Sequence, residues 1–108
     1  MDKHGYPDDD ELKRIEEWDW HDPVGLLDFV HSLWAYADWG WKQEGNYYYI
    51  STAGWSGNED IVGALGRNQF FWMFNWVSSR RGGHYEFECR LIHEDRRLVE
   101  ASKDWREE

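Results

Sequence analysis

Between Ser78 and His84 the chain runs Ser78-Ser79-Arg80-Arg81-Gly82-Gly83-His84, a sequence able to hold an anion. The two guanidinium groups are planar forks that match phosphate or carboxylate, and the serine hydroxyls add donors. Gly82 and Gly83 permit positive φ, let a ligand approach the backbone and leave amide N–H groups exposed. Trp76 precedes the segment and Tyr85 follows it, so a base or ribosyl group could stack there while its phosphate is neutralised. The same residues also make an ordinary solvated hairpin turn.

A second candidate is Gly54-Trp55-Ser56-Gly57-Asn58-Glu59, placed where a strand should pass into a helix. A helix N-terminus offers unsatisfied N–H groups and the positive end of the helix dipole, which together favour an anion. Ser56, Gly57 and Asn58 would line such a site, with Trp55 as a stacking wall. A capping box is the structural alternative, with Ser56 bonding the N3 amide and Glu59 reaching back. The segment lacks the Gly-Lys-Ser/Thr ending of a phosphate-binding P-loop.

His84, Glu86 and Glu88 alternate along one face of an expected strand, a spacing compatible with acid–base work, metal ligation or simple exposure to water. Neither His4, His21, His31 nor His93 has a companion at ligand spacing, and His31 falls among helix-core residues as a partly buried structural side chain. Cys89 is the single cysteine, so no internal disulfide forms, and its setting reads as a buried, inert strand position. No cofactor or metal is implied.

The elements that must position these residues are legible in outline. Pro7 followed by Asp8-Asp9-Asp10-Glu11 reads as a helix start, with Leu12, Ile15 and Trp18 inward. Asp22-Pro23 is an N-cap and N1 pair, and Leu26, Leu27, Val30, Leu33, Trp34 and Ala37 continue as an amphipathic stripe. Trp39-Gly40-Trp41 and Tyr47 to Thr52 read as two strands around a turn at 43–46. A third helix is expected from about Gly57 to Leu65, with Gly66 as its stop. The apolar run 69–77 fits a strand or a buried helix; a strand is favoured because a turn and an alternating segment follow. In that segment Tyr85, Phe87, Cys89 and Leu91 face one way, the mark of a half-buried antiparallel strand. Residues 93–108 read as a charged tail ending in a short helix or frayed. The expected fold is a single α+β domain, with an antiparallel sheet of three or four strands and two or three helices on one face.

Composition narrows the function classes. Nine tryptophans and an aromatic fraction of 19% demand burial or a lined site, and argue against disorder. Trp34 and Trp72 read as core, whereas Trp18, Trp20, Trp39 and Trp41 lie in polar or glycine-bearing stretches where burial is harder. The formal net charge of −10 disfavours direct nucleic-acid binding, which depends on neutralising phosphates. It suits solubility, or docking of an acidic surface on a basic partner. The acids concentrate in residues 1–28, where ten stand against three bases. The acidic, Trp-bearing stretch Trp18-Asp19-Trp20-His21-Asp22 could anchor a protein partner. No apolar run spans a bilayer, and the N-terminus lacks a signal-peptide pattern, so a cytoplasmic protein is expected.

Trp39-Gly40-Trp41, the stretch from Ile50 to Glu59, and the stretch from Phe71 through Ser78-Ser79-Arg80-Arg81-Gly82-Gly83-His84-Tyr85 resemble a group of small uncharacterised proteins of tailed bacteriophages and prophages, many from actinobacterial hosts. The resemblance covers roughly residues 7–88, and the acidic Pro7 to Leu12 start fits it. It implies expression in the cytoplasm of an infected bacterium and carries no activity and no catalytic residues. Three functions follow as expectations. The first is a binding protein that sequesters an anionic, nucleotide-like small molecule, such as a host-defence signal. Its pocket would be formed by Trp55, Ser56, Gly57, Asn58, Glu59, Trp76, Ser79, Arg80, Arg81, Gly82, Gly83, His84 and Tyr85. The second is an inhibitor or modulator that docks on a host protein through the acidic N-terminal half. The third is a nucleotide-processing enzyme using His84 with Glu59 or Glu86.

Overall fold

The computed structural model describes residues 5–89. Helix α1 (Asp9–Glu17) begins with a reciprocal capping box at Asp8: its carboxylate accepts the Glu11 N–H at 2.8 Å, and Glu11 accepts the Asp8 N–H at 3.0 Å. The bond from the Glu11 amide holds the Asp8 carboxyl below its ordinary pKa. Helix α2 (Pro23–Leu33) starts at the expected pair, with the Asp22 carboxylate accepting the Gly25 N–H at 3.1 Å and Pro23 at the first position. Leu26, Leu27, Val30 and Leu33 are buried. The helix ends earlier than its stripe, because Trp34 turns extended and Tyr36 adopts a left-handed φ of 60°. His31 is exposed rather than partly buried: lying between the inward Val30 and Leu33, it is rotated off the apolar stripe and stacks on Trp41 at 4.8 Å.

A short helix, α3 (Ala37–Gly40), leads into β1 (Trp41–Glu44) and β2 (Tyr47–Ser51). The hairpin is therefore tighter than expected, with Trp39 and Gly40 helical and Lys42 to Glu44 in the strand. Helix α4 (Ser56–Arg67) follows, then α5 (Gln69–Asn75), β3 (Trp76–Arg80) and β4 (His84–Glu88). The four strands form one antiparallel sheet in the order β1-β2-β4-β3. The class is α+β, and the described residues hold more helices than the sequence indicated.

Three sequence expectations fail here for local reasons. Residues 69–75 are helical, and only 76–77 of the favoured strand join the sheet. Asn68 decides this: its side-chain oxygen accepts the Phe71 N–H at 3.4 Å while its amide donates to the Ile15 and Trp18 carbonyls at 3.0 Å each. The capping box at Ser56 and Glu59 does not form. Trp55 is the N-cap, Ser56 is already helical, and its hydroxyl donates to the Tyr6 hydroxyl at 3.3 Å. Finally, α4 runs through Gly66 to Arg67, since the Asn68 N–H closes its last turn onto Ala64 and Leu65.

One sheet face packs on the helices. Tyr48, Ile50 and Phe87 join Ile15, Leu26, Leu27, Val30, Ile61, Leu65 and Phe71 in a single buried cluster, together with Trp34 and Cys89. Trp72 is half-buried at its edge, in edge contact with Phe87 at 5.4 Å and Tyr85 at 6.2 Å. Trp18, Trp20 and Trp41 are half-buried against the cluster, whereas Trp39 is 67% exposed. The charged stretch 93–108, together with Leu91, His4 and His93, lies outside the described residues.

Asn58 fixes the corner where these layers meet. Its carboxamide accepts the Ala35 N–H and donates to the Ala35 carbonyl, both at 2.9 Å, and also donates to the Thr52 carbonyl at 3.3 Å. Asn58→Ala strands these buried partners and should cost about 2–3 kcal/mol, read as a lowered urea midpoint; a loss below about 1 kcal/mol would mean the corner holds without it. Cys89 is fully buried, and burial pushes its thiol up to about 12. The neutral thiol persists across neutral pH, so Cys89 should resist iodoacetamide at pH 8 in the native protein and react once the chain is denatured.

Candidate functional site

The opposite face of the sheet carries the candidate site. Antiparallel register aligns its residues in rows that cross the strands. Lys42 pairs with Tyr49, Tyr49 with Glu86, and Glu86 with Ser78. One step along, Ser51 pairs with His84 and His84 with Arg80. Because successive strand residues alternate in direction, these two rows stand on the face turned away from Tyr48, Ile50 and Phe87.

The rows border a depression of about 250 Å³, closed on one side by Trp39 and Gly40, with Ile50 and Tyr85 contributing to its floor. Gly40 lets the wall come close, since a Cβ there would lie 2.8 Å from the Ser51 carbonyl oxygen. The Trp34 indole donates to that same carbonyl at 3.1 Å and so holds this edge of β2 against the end of α2.

Electrostatically the depression is mixed but presents cations. The Lys42 ammonium sits 5.8 Å from the Tyr49 ring centre and pairs with Glu44 at 2.9 Å; that hydrogen bond raises its pKa. Glu86 accepts a hydrogen bond from the Ser78 hydroxyl. Arg80 and Arg81 make no ion pair among the described residues, which leaves their guanidinium forks to solvent or ligand. The arrangement offers the Lys42 and Arg80 cations, the His84 imidazole, a Ser51 hydroxyl and the rings of Trp39 and Tyr49: a set suited to an anion that carries a planar group.

The two glycine-bearing segments do meet, but not as side chains around one pocket. Their seam is backbone: the Thr52 N–H donates to the Gly83 carbonyl at 2.9 Å. Gly83 has φ +77°, and a Cβ on it would fall 2.1 Å from the Thr52 hydroxyl oxygen. Beyond the seam the first segment turns away. Trp55 stacks on Tyr6 at 4.7 Å and meets Tyr36 edge-on at 6.4 Å. Gly57 is buried against Trp55 and Tyr6, Ser56 bonds Tyr6, Asn58 is committed to the corner, and Glu59 is exposed in the first turn of α4 outside the depression.

Within the second segment, Arg80, His84 and Tyr85 line the depression, and Arg81, Gly82 and Gly83 form the turn beside it. Trp76 and Ser79 pair with Phe87 and Tyr85, which places them on the core-side face, where the Trp76 indole donates to the Ser79 hydroxyl at 2.8 Å. Sequence reasoning missed Trp39, Gly40, Lys42, Tyr49, Ile50 and Ser51 as lining residues, and named Glu86 only as an acid–base partner of His84. Alternation in 84–88 placed Glu86 on the face shared with His84, but three successive tyrosines gave 47–51 no such pattern, and nothing local announced that β2 lies beside β4.

No group of three or more His, Cys, Asp or Glu side chains placed to hold a metal occurs among the described residues. No described helix is long and apolar enough to cross a membrane. No family model, curated protein or solved structure matches the chain.

Gly83→Ala meets both a left-handed backbone and a steric collision with Thr52, so it should destabilise the protein by at least about 2 kcal/mol in urea unfolding. An unchanged midpoint would show that the seam does not hold the turn against β2.

Proposed function

We propose that the protein binds an anionic, nucleotide-like small molecule in the depression on the open face of its sheet. Arg80 carries the reading: it makes no ion pair among the described residues and shares a cross-strand row with His84 and Ser51, beside the Trp39 and Tyr49 rings. The volume of about 250 Å³ lies just below the usual range for small-molecule sites and suits one nucleobase-and-phosphate unit rather than a dinucleotide. Arg80 and Lys42 neutralise the phosphate, Ser51 and His84 donate to its oxygens, and Trp39 or Tyr49 stacks the ring. In the phage setting that the sequence resemblance implies, such binding withdraws a nucleotide signal of host defence in the bacterial cytoplasm. Trp39 and Tyr49 replace Trp55 and Trp76 as the stacking partners in this reading, because only the former line the depression. Turnover of the ligand would fall to His84 with Glu86, its neighbour on the same strand face; Glu59 lies outside the depression and takes no part.

Thermal unfolding against nucleoside monophosphates, cyclic nucleotides and ADP-ribose tests this. A ligand at one hundred times its dissociation constant stabilises the native state by about 2.7 kcal/mol, a readily measured shift. Arg80→Ala should weaken binding by roughly 10- to 100-fold, with the unliganded melting temperature little changed because an exposed arginine contributes little to stability. Ser56→Ala should leave the ligand shift intact. No shift across the panel, or one indifferent to Arg80, overturns the proposal.

A further inference from the structure

A second surface, on the helix side of the molecule, has no role in the depression. Helix α5 carries no charged residue, and three of its apolar side chains point outward beside the exposed Gln69: Phe70, Met73 and Phe74 are 53%, 69% and 43% exposed. Trp20 extends the patch, packing on Phe70 at 5.4 Å and Phe74 at 5.1 Å. Contiguous exposed apolar surface of this kind marks an interaction site.

Its border is acidic. The Asn68 bonds to the Ile15 and Trp18 carbonyls hold the end of α1 against the start of α5. This brings the Asp19–Asp22 stretch beside the apolar side chains. Asp19 accepts the His21 N–H and meets the His21 ring nitrogen at 2.9 Å, and that ring stacks on Trp20 at 3.8 Å. Asp22 accepts from the Gly25 N–H and the Trp18 indole. Neither carboxylate has a lysine or arginine partner among the described residues, whereas Glu16 is answered by Arg67 and Glu17 by Lys13.

We infer that the exposed face of α5, with Trp20, is a docking site for a basic amphipathic helix of another protein, whose apolar side covers Phe70, Met73 and Phe74 and whose cations meet Asp19 and Asp22. Charge complementarity selects this occupant. A second copy would bring another chain of net charge −10 to the same acidic border, and an anionic membrane would be repelled by it. Size agrees: the exposed side chains amount to on the order of 400 Å², short of the roughly 800 Å² per partner of a stable protein interface but ample for one face of a helix.

The test uses the full chain and two labelled amphipathic peptides of about 18 residues, one built from Leu and Lys and one from Leu and Glu, read by fluorescence anisotropy. The Leu/Lys peptide should bind, weaken with salt, and lose at least tenfold in affinity with Met73→Glu, while the Leu/Glu peptide should not bind. Met73→Glu adds a negative charge, so an attachment by charge alone would tighten instead; tightening or no change overturns the inference. Asp19→Lys should weaken the complex severalfold and flatten its salt dependence, and an unchanged salt slope counts against the assigned border. A dimer of the free chain abolished by Met73→Glu would assign the face to a second copy, and flotation of the chain with phosphatidylcholine vesicles would assign it to a membrane. Met73→Glu should leave any nucleotide-induced thermal shift in place, so the two surfaces fail or stand separately.

Discussion

One buried carboxamide holds the architecture to its purpose. Asn58, 1% exposed, satisfies both backbone groups of Ala35 and the carbonyl of Thr52, and so joins the exit of α2, the end of β2 and the first turn of α4. A buried amide of this sort is stabilising only when its hydrogen bonds are made together, because any group left unpaired costs its full desolvation. Next to that corner β2 runs beside β4, the Thr52 amide reaches the Gly83 carbonyl, and the Ser78–His84 segment is tied to the end of β2. Asn68 does the corresponding work on the helical side, binding the end of α1 and capping α5. Each asparagine ties together elements that border one of the two surfaces.

The sheet divides the aromatic residues by face. Tyr48 and Phe87 give the helices an apolar floor, whereas Tyr49 and Glu86, one residue away on the same strands, stand on the open side. The alternation that builds the core thus assembles the opposite face at no additional cost in backbone order. It also explains why the Arg80–His84 row borders the depression while Ser79 and Trp76, in the same segment, are turned the other way and bonded to each other.

Tryptophan abundance has three structural meanings here. Trp34 completes the core and donates its N–H to Ser51; Trp55 stacks with Tyr6 and closes the start of α4; Trp39 stays in the open beside the depression. The apolar run 69–77 belongs to a further category. Its composition suggests burial, yet a short helix capped at Asn68 sinks Phe71 and leaves Phe70, Met73 and Phe74 outside. Exposure of a helix face without charge is a feature that stability alone does not explain.

The sequence by itself determined the α+β class, a helix start next to Pro7, the start of α2 at Asp22-Pro23, the alternating strand 84–88 and the burial of Cys89, because each rests on helix-terminus chemistry or hydrophobic periodicity within a few residues; the reciprocal cap at Asp8 appeared only in the structure. It also marked Arg80 and His84 as chemically notable, and both line the depression. Only the tertiary structure decided that Trp39, Lys42, Tyr49 and Ser51 share that depression, since strand order joins residues some forty positions apart and no local pattern encodes it. Only the structure, likewise, turned Ser56 from a helix cap into a partner of Tyr6 and residues 69–75 from strand to helix. In both places a distant side chain or a buried asparagine offered the backbone and its hydroxyls better partners than the local motif did.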